Sequence, residues 1–304
     1  MNTKTLPLQF DNIVTQKIDA GWLAAKNIDL DVLRLDLIHP VISGNKWFKL
    51  QYYLQEAVLL AKPAIATFGG AYSNHLLATA FACKVHGLQS VGFIRGEKPQ
   101  AYSATLKEAE GYGMQLIFIS REQYKLKDKV AEEFQHFNWY WIDEGGYGTT
   151  GARGAQDILN YTNKNDYTHL AAAVGTGTML AGLVMASKEN QHVIGISCMK
   201  GNHSIENATR HLITPGSTKA RYTIIHDYHF GGYAKHTKDL LSFIQESFDR
   251  HHLPLDIVYT AKLFYGLRDL IEKSFFPLGS KLLMIHSGGL QGNRSLPGNA
   301  LSFL

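Results

Sequence analysis

A lysine stands in an unusual setting in the segment SGNKWFKL, residues 43–50. The turn-prone triplet Ser-Gly-Asn precedes Lys46, and two bulky aromatic residues, Trp47 and Phe48, follow it. Partial burial against aromatic rings favours the neutral form of an amine, and the neutral amine is the nucleophile. Lys46 is therefore a candidate for covalent chemistry. The alternative is an exposed lysine in a first helical turn, since most lysines lie in water.

A glycine-threonine loop, Gly175-Thr176-Gly177-Thr178, stands between an apolar run and a helical pattern. Glycines let backbone N–H groups approach an anion, and a helix N-terminus attracts negative charge. Leu180 occupies the third glycine position of the dinucleotide fingerprint, and the chain has no GxxxxGK[ST] motif. The loop therefore favours a single phosphate group over NAD or ATP, with a tight turn that binds nothing as the alternative.

Pyridoxal 5'-phosphate is a cofactor that requires a phosphate loop, a lysine and neutral hydrogen-bond donors together. Its aldehyde is joined to the lysine, and its ring withdraws electrons from the substrate. We therefore expect this cofactor between Lys46 and the glycine-threonine loop.

Strand and helix patterns alternate along the chain that must position these residues. Such alternation predicts an α/β fold with a mostly parallel sheet and helices on both faces. Ligands bind beyond the carboxyl ends of such strands. The segments at those ends, residues 68–75, 174–182 and 285–293, are rich in glycine and hydroxyl residues. The predicted strands are residues 64–68, 90–94, 114–120, 169–174, 192–197, 222–226 and 281–286, and predicted helices include 47–61, 73–87, 103–112 and 178–190.

Composition excludes several classes of protein. The 304 residues carry a net charge of +4, and their length suggests one large or two medium domains. The densest basic group, KLKDK at residues 125–129, contains an acid and is typical of a solvated helix face. Cys83 and Cys198 are the only cysteines, and the 14 histidines show no local metal-ligand spacing. We expect neither nucleic-acid binding, nor a disulfide framework, nor a metal site.

Residues 167–187 lack Asp, Glu, Lys and Arg and resemble a membrane span in length. The Gly-Thr-Gly-Thr sequence interrupts them, so a strand, a loop and a helix are predicted instead. The N-terminal residues MNTKTLPLQFDN lack the apolar core of a signal peptide. We therefore expect a cytoplasmic protein without a membrane partner.

Six motifs together carry a family resemblance: SGNKWFKL, GGAYSNH, the glycine-threonine loop, FGGYAKHT, VYTAKLFYGL and IHSGGLQGN. In this order and spacing the chain resembles the 1-aminocyclopropane-1-carboxylate (ACC) deaminase / D-cysteine desulfhydrase family. These are pyridoxal-phosphate enzymes of the tryptophan synthase β-like fold, fold type II. The resemblance covers about residues 35–293.

The resemblance implies a role for each matched residue. Lys46 matches the lysine joined to the cofactor, and Asn74 faces the ring hydroxyl. Ser73 lies beside the substrate carboxylate, where the N–H groups of Asn74 and His75 at a helix N-terminus suit an anion. The implied phosphate contacts are Lys49, Gly175, Thr176, Gly177, Thr178 and Met179, the last through its backbone N–H because the family's usual hydroxyl is absent. Tyr233 and Tyr259 match two active-site tyrosines, and a simply packed ring is the alternative for Tyr233.

Two positions distinguish the branches of this family. The resemblance places a glutamate after the second tyrosine in ACC deaminases, where it keeps the ring nitrogen protonated; this chain has Thr260 there, and Ser287 in the last motif. A neutral hydroxyl favours the protonated ring far less than a carboxylate does. Opening a cyclopropane needs a strong electron sink, whereas losing a β-thiolate needs less help. The hydroxyl pair therefore favours α,β-elimination on D-cysteine or a related D-amino acid.

Three alternatives remain beside this expectation. They are ACC deamination to 2-oxobutyrate and ammonia, a non-catalytic homologue that binds pyridoxal phosphate, and an NAD-dependent oxidoreductase. The imperfect glycine fingerprint disfavours the last of them. The intact Lys46, Ser73 and Tyr259 argue against a protein that only binds the cofactor.

The resemblance also implies two three-layer α/β/α domains with mostly parallel sheets and the cofactor in the cleft between them. Residues 1–46 and 149–304 are expected to form the large domain, and residues 47–148 the small inserted one. Residues 143–154 contain five glycines and are expected to form the hinge or the re-entry loop into the large domain. Family members of this kind are usually homodimers, and a homodimer is expected here.

Overall fold

The fold contains two separate sheets, of six and four strands, in a computed structural model that describes residues 8–303. Residues 1–7 of the N-terminal segment lie outside the described part. The strands are β1 (Thr15–Ile18), β2 (Asp29–Arg34), β3 (Ala64–Gly69), β4 (Gln89–Arg95), β5 (Met114–Ile119), β6 (Tyr140–Ile142), β7 (His169–Val174), β8 (His192–Ser197), β9 (Arg221–Ile225) and β10 (Lys281–His286). The α-helices are α1 (Gly21–Ala24), α2 (Asn45–Leu59), α3 (Asn74–His86), α4 (Ala104–Gly111), α5 (Arg121–Tyr124), α6 (Lys127–Glu133), α7 (Thr149–Gln156), α8 (Thr178–Ala186), α9 (Ser204–Leu212), α10 (Lys238–His251) and α11 (Thr260–Glu272).

The strand order confirms the predicted α/β class with mostly parallel sheets. The larger sheet has the order β1-β2-β10-β7-β8-β9, and only β1 runs antiparallel to its neighbour. The smaller sheet has the order β5-β4-β3-β6 and is parallel throughout. Parallel strands bring their carboxyl ends to one edge, which is where the predicted site segments begin.

Alternation along β7 shows how the larger sheet is covered on both faces. Ala171 and Ala173 face a core shared with α1, α10 and α11. Leu170, Ala172 and Val174 face the opposite core, shared with α2, α7 and α8. Successive side chains of a strand point to opposite faces, so a strand buried on both faces reads as a continuous apolar run. This is why HLAAAV could be predicted as a strand.

All seven predicted strands are present, with ends within one residue of the expected ones. Three further strands were not predicted. The first and third of these, β1 and β6, have only four and three residues and lie at sheet edges. The second, β2, carries charges at Asp29, Asp31 and Arg34 that interrupt its apolar pattern. Short or charged strands depend on their neighbours, which local pattern does not reveal.

Residues 167–187 form a strand, a loop and a helix, as predicted. The helix, α8, ends at Ala186 and not at residue 190, because Ser187 is extended and its Oγ donates to the Leu183 carbonyl oxygen over 2.7 Å. Within residues 8–303 no helix is both long and apolar enough to cross a bilayer.

The predicted hinge at residues 143–154 is only partly a loop. Its second half is helix α7, which packs closely on α2: a Cβ atom at Gly154 would lie 1.9 Å from the Phe48 carbonyl oxygen. Gly154 therefore permits close helix packing, and the loop prediction is wrong for the half that forms α7. All four strands of the smaller sheet lie between residues 47 and 148, but the domain boundaries themselves remain predictions.

Candidate active site

The carboxyl end of β10 fixes the start of α2. Directly before α2, Gly44 has a φ of +62°, and a Cβ atom there would lie 1.9 Å from the Ser287 carbonyl oxygen. The Asn45 N–H donates to the same carbonyl oxygen over 3.2 Å. Ser287 thus contributes its backbone to this contact. Only glycine fits at position 44, and the first turn of α2, with Lys46, is held against the strand end.

Lys46 is half-buried beside an aromatic ring, with the buried carboxylate of Asp256 more than 4.0 Å from its amine. Its Nζ donates to Asn45 Oδ1 over 2.9 Å and lies 5.8 Å from the centroid of the Tyr259 ring. Burial lowers the pKa of Lys46 to about 8, although the negative charge of Asp256 opposes the shift. The amine is therefore no ordinary exposed lysine, and an appreciable fraction of it is neutral near pH 7.5.

A second amine lies in the same enclosure. Lys49 is buried, one turn after Lys46, and its Nζ donates to the Gly145 carbonyl oxygen over 2.8 Å. Burial and the nearby Lys46 both hold the pKa of Lys49 well below its usual range. Among residues 8–303, no carboxylate oxygen lies within 4.0 Å of either amine. Neither enclosed amine has an acidic partner, so a bound anion would stabilise their charged ammonium forms.

The glycine-threonine loop begins α8. Its Gly177 precedes the helix with a φ of +83°, and a Cβ atom there would lie 2.4 Å from Thr209 Oγ1. The Oγ1 atoms of Thr176 and Thr178 lie 3.0 Å apart. The backbone N–H groups of this first turn have no helical acceptor, so they suit a phosphate.

Two contacts join this loop to the rest of the site. A Cβ atom at Gly175 would lie 3.3 Å from the Tyr259 ring, so the loop packs directly on that tyrosine. Asn45 Nδ2 donates to Met179 Sδ over 3.3 Å, which links α8 to the turn that carries Lys46. Because the Met179 side chain contacts Asn45, a ligand can contact Met179 through its backbone N–H.

The start of α3 brings three predicted residues to the cleft between the sheets. Ser73 caps the helix, and its Oγ accepts from the Leu76 N–H over 3.3 Å, which leaves the hydroxyl proton free to donate. Asn74 Nδ2 donates to the Gly289 carbonyl oxygen over 3.4 Å, while Asn74 Oδ1 is buried without a partner. His75 is buried against Thr67 Oγ1 at 3.0 Å. Burial and the two lysines hold the pKa of His75 well below its usual range, so its ring is neutral.

Asp256 is a buried residue of the site that the sequence analysis did not single out. It is fully buried, and its Oδ1 accepts from the N–H groups of Val258 and Tyr259 over 2.8 Å. Its Oδ2 accepts from the Thr260 N–H over 2.9 Å and from Thr260 Oγ1 over 2.6 Å. The hydroxyl proton of Thr260 is therefore committed to a carboxylate. An aspartate shortly before a helix start is a capping signal that could have found Asp256.

Lys262 is a second residue that the sequence analysis missed. It is fully buried in α11, and its Nζ donates to the Gly232 carbonyl oxygen over 2.7 Å. This bond holds the segment that carries Tyr233, a residue that is 44% exposed and whose ring lies 6.1 Å from the Tyr259 ring in an edge-on arrangement. Tyr259 itself is enclosed, and burial together with Tyr233 raises its pKa well above the usual range.

Comparison with known proteins decides the family. A family model described as "Pyridoxal-phosphate dependent enzyme" matches residues 15–288. The chain belongs to this family. The "Putative 1-aminocyclopropane-1-carboxylate deaminase" of Pyrococcus abyssi is 32% identical over 284 residues, covering 87% of this chain and 86% of the relative. The "Bifunctional D-cysteine desulfhydrase/1-aminocyclopropane-1-carboxylate deaminase, mitochondrial" of Arabidopsis thaliana is 29% identical over 297 residues, covering 87% of this chain and 73% of the relative.

A solved structure agrees with this membership. The crystal structure of an "ACC deaminase homologue" superposes with a TM-score of 0.82 at 27% identity, covering 96% of this chain and 94% of that one. The resemblance to the ACC deaminase / D-cysteine desulfhydrase family and the fold type II prediction are thus confirmed. The protein is a pyridoxal-phosphate-dependent lyase, which rules against the NAD-dependent alternative.

The residues of the site fit pyridoxal phosphate. Lys46 supplies an amine for the aldehyde, and the loop around Gly177 with Lys49 supplies donors for the phosphate. Asn74 Oδ1, buried and without a partner, is an acceptor suited to a ring hydroxyl. These contacts agree with the roles implied by the sequence, but each residue's role remains a prediction.

In the coenzyme-free protein, we expect Lys46 to react with amine reagents with a midpoint near pH 8. Burial disfavours the ammonium form, so the neutral fraction at pH 7.5 is about a quarter, against about 0.1% for an ordinary lysine amine. Peptide mass spectrometry after brief labelling at several pH values measures this. A Lys46 midpoint close to that of the bulk of exposed lysines would contradict the burial argument.

Proposed function

We propose that the protein catalyses α,β-elimination on a small D-amino acid with a leaving group at Cβ. The proposed substrate is D-cysteine, which with one water gives pyruvate, ammonia and hydrogen sulfide. The observation that carries this proposal is the neutral hydroxyl of Thr260 directly after Tyr259, where a glutamate would favour a stronger electron sink. The relatedness to a plant enzyme named for D-cysteine desulfhydrase activity supports the proposal.

When bound, pyridoxal phosphate supplies an aldehyde for covalent attachment and a ring that withdraws electrons from the substrate Cα. The protein's own residues bind and orient around it. Ser73 retains a free hydroxyl proton at the N-terminus of α3, so it binds the substrate carboxylate together with the N–H groups of Asn74 and His75.

Two groups are available to move protons, and their pKa values give them different roles. Lys46, with a pKa of about 8, provides a neutral amine that takes the Cα proton. Tyr259 stays protonated at neutral pH because burial raises its pKa well above the usual range. Its hydroxyl therefore donates a hydrogen bond or a proton, and the departing thiolate is a suitable acceptor.

ACC deamination is the second candidate, and one contact favours it. Thr260 Oγ1 donates to Asp256 Oδ2 over 2.6 Å, so a buried carboxylate lies one hydroxyl behind the position where the other branch has a glutamate. The name of the Pyrococcus abyssi relative points in the same direction.

One experiment separates these candidates. The purified holoenzyme is incubated with D-cysteine, L-cysteine, D-serine and ACC, and the keto acid released from each is measured. We expect the highest kcat/KM with D-cysteine, accompanied by sulfide in equal amount. Turnover of ACC alone would overturn the proposal in favour of the second candidate, and release of keto acid only from L-cysteine would contradict both.

Replacing Lys262 by methionine tests whether this buried amine positions Tyr233. The change removes the bond to the Gly232 carbonyl oxygen, so the segment bearing Tyr233 loses its anchor. We expect KM for the substrate to rise about tenfold, as the loss of one charged hydrogen bond implies, with a smaller change in kcat. Lys273→Met, at the exposed end of the same helix, serves as the control. An unchanged KM in Lys262→Met would refute the positioning role.

A further inference from the structure

A group of three potential metal ligands lies outside the active site, where β9 ends and α9 begins. His226 directly follows β9, His203 directly precedes α9, and Glu206 lies in the first turn of α9. One nitrogen or oxygen of each side chain lies within 4.8 Å of those of the other two, and residues 8–303 contain no other such group. The ligands are up to 23 positions apart in the sequence, so local spacing could not reveal them.

The geometry of the three side chains approaches that of a metal centre. His226 Nε2 lies 2.7 Å from Glu206 Oε1, and His203 Nδ1 lies 4.0 Å from the same oxygen. Bonds of about 2.0–2.2 Å to a tetrahedral ion place its ligand atoms roughly 3.3 Å apart. When an ion binds, the distance of 2.7 Å between His226 and Glu206 must therefore lengthen slightly, and the distance of 4.0 Å between His203 and Glu206 must shorten slightly.

The three side chains differ in exposure, and this difference makes the adjustment feasible. His226 is only 18% exposed, and Glu206 is 36% exposed, so both are held by the fold. His203 is 74% exposed and can rotate toward the other two. Glu206 Oε2 and His226 Nδ1 are buried and have no hydrogen-bond partner, which leaves polar capacity that the protein alone does not satisfy.

We infer that His203, Glu206 and His226 bind a divalent transition-metal ion, with Zn²⁺ as the best match. Two imidazoles and one carboxylate suit zinc and its neighbours in the first transition row, whereas Mg²⁺ and Ca²⁺ prefer oxygen ligands. The ion takes the place of the hydrogen bond between His226 Nε2 and Glu206 Oε1, and the imidazole then carries its proton on Nδ1, which has no partner in the protein. Three protein ligands leave a further position for water.

The position of this site gives it a structural role. The ion would tie the start of α9 to the end of β9. Farther along α9, Thr209 packs against Gly177 of the glycine-threonine loop. A Cβ atom at position 177 would lie 2.4 Å from Thr209 Oγ1. A metal that stabilises α9 therefore stabilises the support of that loop without contacting the active site.

Zinc binding to the holoenzyme tests the inference without any activity assay. The protein is treated with EDTA and dialysed, and Zn²⁺ is titrated in competition with a chromophoric chelator. We expect one zinc ion per chain, unaffected by millimolar Mg²⁺ or Ca²⁺, and a higher melting temperature with zinc. Both cysteines are buried and free, so surface thiols do not compete.

Single substitutions locate the ion. His203→Ala changes an exposed side chain and Glu206→Gln preserves shape, so both proteins should fold; each is expected to weaken zinc affinity at least about tenfold. His211→Ala, an exposed histidine on the same helix, is the matched control and should bind as the wild type does. Absence of stoichiometric zinc in the wild type, or equal affinity in all four proteins, would overturn the inference.

Discussion

Replacing Lys46 by alanine is expected to abolish covalent attachment of the cofactor and to lower kcat/KM at least about 1,000-fold, or about 4 kcal/mol in activation free energy. Lys46 is the half-buried amine at the start of α2, and its neighbour Lys49 is already bonded to the Gly145 carbonyl oxygen. Borohydride reduction followed by peptide mass spectrometry identifies the attached residue, and visible absorbance reports the linkage.

Lys84→Ala, on an exposed turn of α3, provides the control for a lost lysine. It should retain both the absorbance and the activity of the wild type. If Lys46→Ala kept a reducible linkage at the wild-type level, another amine would hold the cofactor, and the assignment of Lys46 would be wrong.

Asp256→Asn is expected to lower the free energy of unfolding by about 3 kcal/mol. The new amide cannot accept the bonds from the Thr260 N–H and Oγ1 that Oδ2 now receives, and hydrogen bonds to a charged group contribute about 1.5–3 kcal/mol each. The change also removes the negative charge that raises the pKa of Lys46, so that pKa should fall below about 8.

Chemical denaturation measures the first effect, and the pH dependence of Lys46 labelling in the coenzyme-free protein measures the second. Asp249→Asn, an exposed aspartate of α10, is the matched control and should alter neither. A Lys46 midpoint that moved upward in Asp256→Asn would contradict the electrostatic role of Asp256.

The elements that could be predicted from the sequence include strands that are buried along their length. Strands such as HLAAAV and KLLMIH are covered on both faces, so their apolar runs are unambiguous. The glycine-threonine loop could be located because its residues are consecutive. Strand β2 was missed because its charged residues find partners in other segments; Asp31 Oδ2, for example, accepts from the hydroxyl of Tyr167, 136 positions later, over 2.8 Å.

The parts of the site that escaped prediction depend on contacts between distant segments. Lys262 bonds to Gly232, 30 positions earlier, and Gly44 is required only because the Ser287 carbonyl oxygen lies against it. The hinge prediction overvalued glycine content, since the same residue permits either a flexible loop or close helix packing. Only the folded arrangement shows that Gly154 is needed for packing against Phe48.

The contact between Gly44 and the end of β10 sets an order of events during synthesis. Gly289 and Ser43, which meet at this junction, are 246 positions apart. The amine of Lys46 leaves the ribosome early, but its surroundings are incomplete until residues near the C-terminus have emerged and paired. A nascent chain therefore carries this lysine for most of translation without the pocket that activates it, and we expect the cofactor to bind only after β10 and the residues that follow it have folded.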